Sequence, residues 1–391
     1  MAPILIIGGG IAGVASALAL QKAGLEATVY EAHPHNSQDG GAFLTLASNG
    51  MRALQQIDAD AVVAEAGSSL RTMRVCNGAG TEVATVPLGD HRDPATRYRY
   101  LTRAGLCAAL QQEAQRRGIP IQRGKRLTRV IEHRGGVTAD FSDGTRAAGE
   151  ILIGADGLNS TVRPLIDPAA PAPRYVGQRV FYGYSRNTGV RSDPDCFQVI
   201  RGAAAFGYIV TQQQDIWWFA RVVDDELHRR DLTSGTPTRW QAELSAMLQS
   251  EPTPAAGIVE AAHRVLVTNA YDLADVPTWH RTRTIVIGDA AHAASPATGQ
   301  GASMALEDAV VLAKALRDQP DPAGAFTTYE QLRRERVQAN ITASARMSAP
   351  DPTNGRAASR PPRSPGTPDE ALTAQLDWHV PLAPPSRTRG P

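Results

Sequence analysis

Three glycines near the N-terminus have the spacing of a dinucleotide-binding turn: Gly8, Gly10 and Gly13 in the segment GGGIAG. They follow an apolar run of strand length and precede an Ala- and Leu-rich helical segment. In such a turn the first glycine permits a tight bend, the second lets a pyrophosphate approach the backbone, and the third lets helix and strand pack closely. The free N–H groups of the first helical turn, which includes Ile11 and Ala12, would bind the phosphates.

Glu31 lies at the end of the next predicted strand, which completes a βαβ unit of about thirty residues. Its carboxylate is suited to accept hydrogen bonds from both ribose hydroxyls of an adenosine, whereas it would repel a 2′-phosphate. The N-terminal segment therefore predicts a site for FAD or NAD rather than for NADP.

A second strand–loop–helix segment carries many special residues. A buried-strand pattern over 284–287 leads into GDAAH at 288–292, and a helix is predicted over 301–317. An aspartate at the strand end could bond a ribityl hydroxyl, while glycine backbone and a helix N-terminus could stabilise negative charge on a flavin ring. The predicted site residues of this segment are Asp289, Pro296, Gly299, Gly301, Ala302 and Ser303. His292 is interpreted as a residue that braces the loop.

A third segment, Asp156-Gly157-Leu158-Asn159-Ser160, again follows a buried-strand pattern. Its simplest interpretation is a helix start capped by Asp156 or Asn159. A functional role is compatible with that interpretation.

The order and spacing of these three motifs over residues 1 to about 345 resemble the class A FAD-dependent monooxygenases of the para-hydroxybenzoate hydroxylase fold. The resemblance implies that the glycine turn holds the ADP half of FAD, Gly288-Asp289 the ribityl chain, and Asp156-Gly157 both FAD and NAD(P)H. It also implies that Arg103 reaches the cofactor and that Ala42 and Leu127 make backbone contacts to it. The family usually has Asn where Ser303 stands, which implies a weaker or purely backbone contact there.

The same resemblance implies the reaction. FAD would be tightly but non-covalently bound, with NAD(P)H as a transient co-substrate in a groove bordered by Asp156, Ser160 and Arg163. O2 would be used to hydroxylate or epoxidise an aromatic or electron-rich small molecule, in specialised metabolism for example, through a flavin C4a-hydroperoxide. No side chain is assigned a catalytic role, because the flavin carries the chemistry. Three alternatives remain: a flavin oxidase or dehydrogenase of the same fold without oxygen insertion, a non-catalytic flavin- or ligand-binding homologue, and an NAD-dependent dehydrogenase, which would be colourless.

These motifs require parallel strands followed by helices, and that pattern changes after about residue 170. Over 175–223 apolar and polar residues alternate, and four of the five tryptophans lie between 180 and 280. The predicted fold is α/β + β, a Rossmann-like FAD-binding domain with an inserted, mainly antiparallel-sheet substrate domain. The FAD-binding domain would comprise 1–71, 97–170 and 265–347, and the substrate domain 72–96 and 171–264. The plausible walls of a substrate cavity are Tyr182, Tyr184, Phe206, Tyr208 and Trp218.

The last segment, 348–391, is rich in proline and arginine. It is predicted to be a poorly ordered tail with at most one isolated helical turn near 371–379.

The composition excludes several classes of protein. The 391 residues include 40 basic and 39 acidic side chains, so the net charge of +1 argues against nucleic-acid binding. Three cysteines are too few for a disulfide scaffold, and no metal-ligand spacing is visible. The uncharged stretch 2–21 has membrane-span length, but its clustered glycines favour a strand, a turn and a helix. The sequence thus predicts a cytoplasmic monomer or homodimer without a metal or a membrane anchor, acting on a small aromatic or apolar substrate.

Overall fold

A computed structural model describes residues 3–35, 42–89, 93–348 and 370–382, without the side chains of 233–234. Its strands are β1 (Ile4–Ile7), β2 (Ala27–Glu31), β3 (Phe43–Leu46), β4 (Ser68–Leu70), β5 (Thr72–Asn77), β6 (Glu82–Pro87), β7 (Tyr98–Thr102), β8 (Ile121–Arg123), β9 (Leu127–His133), β10 (Gly136–Phe141), β11 (Arg146–Gly149), β12 (Leu152–Gly154), β13 (Arg174–Ser185), β14 (Cys196–Arg201), β15 (Ala205–Val210), β16 (Ile216–Val223), β17 (Ala262–Asp272) and β18 (Thr284–Val286).

The α-helices are α1 (Ile11–Lys22), α2 (Ser48–Gln56), α3 (Asp60–Ala66), α4 (Arg103–Arg116), α5 (Val162–Ile166), α6 (Arg229–Ser234), α7 (Pro237–Leu248), α8 (Ala255–Glu260), α9 (Asp289–His292), α10 (Gly301–Asp318), α11 (Pro322–Ser348) and α12 (Glu370–Leu376). Short 3-10 turns cover Pro94–Thr96 and Pro296–Thr298. Within the described ranges, none of these helices is both long and apolar enough to cross a bilayer.

The first half of the fold is built on a parallel sheet with strand order β18-β12-β1-β2-β8. Strands β12 and β1 are apolar and buried, and the edge strand β18 is buried as well, as expected for a parallel sheet covered on both faces. Helix α1 packs against α10, and its small residues, which include four alanines among twelve residues, allow this close contact. An antiparallel sheet, β11-β10-β9, flanks this core.

The second half is a seven-stranded sheet with order β17-β13-β16-β15-β14-β5-β6. Every neighbouring pair is antiparallel except β14 and β5. One face packs under α7 and α8, while the other faces the small sheet β3-β7-β4. The predicted α/β + β fold, a Rossmann-like domain with a mainly antiparallel insertion, is confirmed.

The inserted sheet is longer than the sequence indicated. Strand β17 is an unbroken strand of 11 residues that stays paired with β13 as far as Asp272. We therefore propose a domain division in which 171–272, rather than 171–264, belongs to the substrate side.

The C-terminal segment differs from the predicted poorly ordered tail over residues 370–382. Helix α12 forms near the expected place, but it is not isolated, because its apolar side chains and those just after it join the main core. The buried residues are Leu372, Leu376, Trp378 and Leu382. The fully buried Lys314 of α10 donates hydrogen bonds to the carbonyl oxygens of Gln375, at 2.6 Å, and Asp377. The rest of the predicted tail, 349–369 and 383–391, lies outside the described residues.

Docking of this segment is testable with Leu376→Ala. The side chain is fully buried, so its truncation should weaken docking by about 2–5 kcal/mol. The measurement is amide hydrogen exchange over 370–382. Ala374→Ser, on the exposed side of α12, is the control and should change docking by less than about 0.5 kcal/mol. Exchange of the wild-type segment at the rate of an unstructured chain would contradict the docked arrangement.

Candidate active site

The three motifs meet at one edge of the parallel sheet, because each follows a neighbouring strand: β1, β12 or β18. A Cβ on Gly8, whose φ is 109°, would lie 2.4 Å from the carbonyl oxygen of Ala155. A Cβ on Gly13 would lie 2.0 Å from the carbonyl oxygen of Gly8. Both positions therefore require glycine, because any side chain would collide with the neighbouring backbone.

Gly10 differs from the other glycines of the turn, because a Cβ built on it meets no protein atom within 4 Å. It is the N-cap of α1, makes no side-chain cap, and no acidic residue stands in the first turn. The N–H groups of Ile11, Ala12 and Gly13 have no acceptor within the helix. The start of α1 thus combines open space with free donors, which is what a pyrophosphate requires.

Glu31 is held beside this turn by two backbone donors. Its Oε2 accepts from the N–H of Gly9 at 2.7 Å, and its Oε1 accepts from the N–H of His33 at 2.8 Å. Each carboxylate oxygen keeps a further lone pair for another donor, so the ribose hydroxyls predicted to bind here have acceptors.

Gln111 and Arg123 support the same turn and were not identified from sequence. The buried Gln111 donates through Nε2 to the carbonyl oxygen of Gly9 at 2.7 Å, and its Oε1 accepts from Arg123 at 2.7 Å. Gln111 lies 102 residues from Gly9 along the chain, and no local pattern marks it.

The start of α10 repeats the arrangement at α1. Gly301 begins the helix, a Cβ on it meets no protein atom within 4 Å, and no acidic residue stands in the first turn. The exposed Pro296 and Gly299 lie in the turn that leads to it, and Ala302 lies in its first turn. A second uncapped helix N-terminus is therefore available for an anionic ligand group.

Ser303 does not face that opening. Its fully buried hydroxyl oxygen accepts a hydrogen bond from the N–H of Ala47 at 3.1 Å and so caps the start of α2. Of the two possibilities predicted for Ser303, only a backbone contact to a flavin ring is compatible with this geometry.

Asp289 and His292 of the G-D motif have different environments. Asp289 is exposed at the start of α9, after β18, where its carboxylate can accept a hydrogen bond from a ligand hydroxyl. His292 is buried, and its Nε2 lies 2.6 Å from Oδ2 of Asp308, which also accepts from the N–H of Gly288 at 3.0 Å. The interpretation of His292 as a residue that braces the loop is confirmed.

Asp308 belongs to a buried ion network that sequence reasoning missed. Arg333 of α11 donates to Asp308 Oδ1 at 2.7 Å and to Glu307 Oε2 at 2.5 Å. Glu307 Oε1 also accepts from Asn49 at 2.6 Å, and Arg336 contacts both Glu307 oxygens at 2.8 Å. Burial alone would raise the pKa of Asp308, but the charges of His292 and Arg333 hold that pKa well below its usual range.

The D-G segment is a helix cap. Asp156 Oδ1 accepts from the Ser160 hydroxyl at 2.6 Å, and Oδ2 accepts from the N–H of Thr161 at 2.7 Å and of Val162 at 3.1 Å. Burial raises the pKa of Asp156, an effect that these hydrogen bonds oppose. The capping interpretation is confirmed.

The expectation that Ser160 and Arg163 border an open NAD(P)H groove is wrong, because both are buried. The guanidinium of Arg163 donates to the carbonyl oxygens of Ala290 and Leu158, each at 3.0 Å. It therefore connects the D-G segment to the G-D segment. A contact of Asp156 with either cofactor stays a prediction.

The remaining predicted cofactor residues lie at element ends. Arg103 is exposed at the start of α4, and its backbone N–H donates to the carbonyl oxygen of Ala42 at 3.0 Å. Leu127 begins β9 with a buried side chain, which leaves its backbone as the group for a ligand contact. Contacts of these three residues with FAD remain predictions.

The predicted wall residues divide between the two faces of the inserted sheet. Phe206, Tyr208 and Trp218 pack under α7 and α8 and therefore do not line a cavity. Tyr182 and Tyr184 face the other half of the fold, together with Trp217 and Phe219. The ring of Phe43 in β3 lies 6.2 Å from that of Tyr182 and 5.9 Å from that of Trp217, measured between centroids.

Comparison with known proteins agrees with this geometry. A family model described as "FAD binding domain" matches residues 1–344. The chain belongs to this family. FAD as the predicted cofactor and the resemblance to class A FAD-dependent monooxygenases are both confirmed.

Several known proteins are similar to this chain over most of their length. Aurachin C monooxygenase/isomerase of Stigmatella aurantiaca is 28% identical, with 88% of each chain covered. 6-Hydroxynicotinate 3-monooxygenase of Bordetella bronchiseptica is 30% identical over 85% of this chain and 88% of that protein. The structure of Klebsiella pneumoniae HpxO complexed with FAD and uric acid superposes with a TM-score of 0.79 at 25% identity, covering 97% of this chain and 92% of that one.

The role of the open space at Gly10 is testable with Gly10→Ala. Its φ of −78° suits alanine and no protein atom is near, so the apoprotein should keep its melting temperature within about 2 °C. The methyl group would occupy the space that a pyrophosphate needs, so the dissociation constant of FAD should rise at least tenfold, about 1.4 kcal/mol. Flavin fluorescence titration of the apoprotein measures this. Gly257→Ala, at an equally open position in α8, should leave FAD affinity unchanged. Equal affinities of the two variants would contradict the assignment.

The ion network is testable with Arg333→Met, which leaves two buried carboxylates without their main counter-charge. The free energy of unfolding should fall by about 3–5 kcal/mol at neutral pH. This loss should shrink as the pH falls below about 4, because carboxylates with lowered native pKa values contribute their full stability above the pKa of the unfolded state and lose it progressively as the pH falls towards the native pKa. Denaturant titration at several pH values measures both effects. Arg346→Met, on the exposed side of α11, should have little effect, and an equally small loss in Arg333→Met would exclude a structural role for the network.

Proposed function

We propose that this protein is an FAD-dependent monooxygenase that uses NAD(P)H and O2 to hydroxylate a small aromatic or heteroaromatic molecule. The observation that carries the proposal is the position of β3 between a flavin-type site and an aromatic sheet face. The ring of Phe43 contacts that face, while the hydroxyl oxygen of Thr45 lies 3.3 Å from the Cβ position of Gly299. The names of the relatives, among them a hydroxynicotinate monooxygenase and a urate hydroxylase, support this substrate class.

The residues present fit FAD. The open starts of α1 and α10 supply backbone donors for the pyrophosphate and for the pyrimidine edge of the ring, while Glu31 and the exposed Asp289 supply acceptors for ribose and ribityl hydroxyls. When bound, FAD supplies the transfer of electrons from NAD(P)H and the activation of O2.

The protein's own part in the reaction is placement and exclusion of water. The aromatic face of Tyr182, Tyr184, Trp217 and Phe219 offers an apolar wall for an aromatic ring, and Phe43 closes one end of it. The N-terminus of α10 stabilises negative charge at the cofactor ring. No side-chain nucleophile is needed, so none is assigned.

The cysteines bear on the cellular compartment of the enzyme. None of the three cysteines, Cys76, Cys107 and Cys196, forms a disulfide, which suits a reducing cytoplasm. We propose a cytoplasmic monomer or homodimer.

The experiment begins with a purified holoprotein and a panel of small aromatic and heteroaromatic compounds. A substrate should accelerate the bleaching of the flavin absorbance by NADH or NADPH under anaerobic conditions. With 18O2, its product should gain one labelled oxygen atom. Turnover of such a compound without label would indicate an oxidase or a dehydrogenase. A flavin that neither nucleotide reduces with any compound present would indicate a non-catalytic homologue.

A further inference from the structure

Arg221 lies on the sheet face that looks towards the cofactor-binding half of the fold. It alternates along β16 with Trp217 and Phe219 on that face, whereas Trp218 and Ala220 point under α7. The guanidinium stands beside these aromatic rings, and its side chain is partly buried. Removing part of a cation from water without a counter-charge is unfavourable, so its position there requires an explanation.

The surroundings of Arg221 contain no anion. The sheet row through it reads Thr268, Val180, Arg221, Ala205, Arg201, Asn77, with no acidic residue. Among the described residues no hydrogen bond or ion pair involves its guanidinium, and Nη1 is buried without a partner. Burial lowers the pKa of Arg221, Tyr182 opposes that shift, and the charge of Arg201 adds to it.

The residue pairs on either side of Arg221 on this sheet face contact the cofactor-binding half of the fold. On one side Gln178 donates to the carbonyl oxygen of Ser348 at 2.8 Å, and the Ser348 hydroxyl lies 2.9 Å from that of Ser295, just before Pro296. On the other side Tyr182 and Phe219 contact Phe43 of β3. Arg221 therefore lies between the two places where this sheet contacts the cofactor-binding half, on the same face as the aromatic wall proposed for the substrate ring.

Tyr182 adds a second polar group to this space. Burial raises the pKa of its phenol, and the positive charges of Arg221 on the sheet and Arg103 at the start of α4 oppose that shift. A phenol between two cations remains a neutral donor, suited to share an anionic oxygen with a guanidinium.

We propose that Arg221 binds an anionic oxygen group of the substrate, so that the enzyme selects an aromatic or heteroaromatic acid carried as its carboxylate. This inference rests on the proposed function and adds the charge of the substrate to it. The guanidinium presents paired donors that match the two oxygens of a carboxylate, and Tyr182 is near enough to assist. The aromatic face beside it accommodates the ring.

The test compares acids with their uncharged amides as ligands of the holoenzyme. The probes are salicylate and salicylamide, para-hydroxybenzoate and para-hydroxybenzamide, and nicotinate and nicotinamide, and binding is measured from the perturbation of the flavin spectrum. Wild type should bind at least one acid tenfold or more tightly than its amide. Arg221→Gln should abolish that preference, a roughly tenfold to hundredfold loss for the acid alone.

Two controls separate ligand binding from folding. Arg201→Gln removes the same charge from an exposed position in the same sheet row and should keep the acid preference within about twofold. Arg221→Gln should retain its full FAD content and a melting temperature at least equal to that of wild type, because it removes a partly buried charge whose Nη1 has no partner. A lower melting temperature would indicate a structural arginine and overturn the proposal.

The remaining outcomes are also decisive. Absence of any acid preference in wild type, including failure of every probe to bind, overturns the inference, as does a preference that survives in Arg221→Gln. An acid preference that depends on Arg221, in an enzyme that never incorporates 18O, supports the anion site. That result would contradict only the monooxygenase function.

Discussion

The buried ion network around Arg333 is the interaction on which the arrangement of the site depends. Asp308 accepts hydrogen bonds from the N–H of Gly288, just after β18, from His292 in α9 and from Arg333 on α11. Glu307, the next residue on α10, connects Arg333 to α2 through Asn49. Buried charges tolerate little displacement, because each lost partner leaves a desolvated ion. The network therefore fixes the position of α10, and with it the direction in which the open N-terminus of that helix points.

A second constraint follows from the prediction that backbone N–H groups, rather than basic side chains, bind the ligand phosphates. Backbone donors act only if nothing covers them, so the first turns of α1 and α10 lack caps and acidic residues. Side chains on the side away from the ligand therefore hold the neighbouring backbone in place. Gln111 donates to the carbonyl oxygen of Gly9, and Ser303 accepts from the N–H at the start of α2. Some side chains that the sequence suggests for ligand contacts instead hold backbone segments of the site in place. They are Ser303, Ser160 and Arg163.

Sequence predicts what is encoded locally. Glycine spacing after an apolar strand fixes the turn, and an aspartate before a helix start fixes the cap, because both depend on a few consecutive residues. Alternation in β16 shows that Trp217 and Trp218 lie on opposite faces, but not which face is covered by α7, since that depends on packing between distant segments. Arg333 and Gln111 were missed for the same reason. In the C-terminal segment the composition suggested disorder, whereas a few apolar residues, Leu376 and Trp378 among them, suffice to join the core.

The net charge of +1 gives no indication of how charge is distributed in the site. Both helix N-termini carry partial positive charge, and Arg221 adds a full one on the opposite wall. Near these positions the acidic residues are either engaged, as Asp308 is with Arg333, or placed to accept hydroxyls, as Glu31 is. The interior that remains for ligands is therefore electropositive within a nearly neutral protein. Among the described residues Arg221 has no acidic partner, so the proposed anionic substrate would supply a counter-charge, whereas a neutral one would leave the buried Nη1 unpaired.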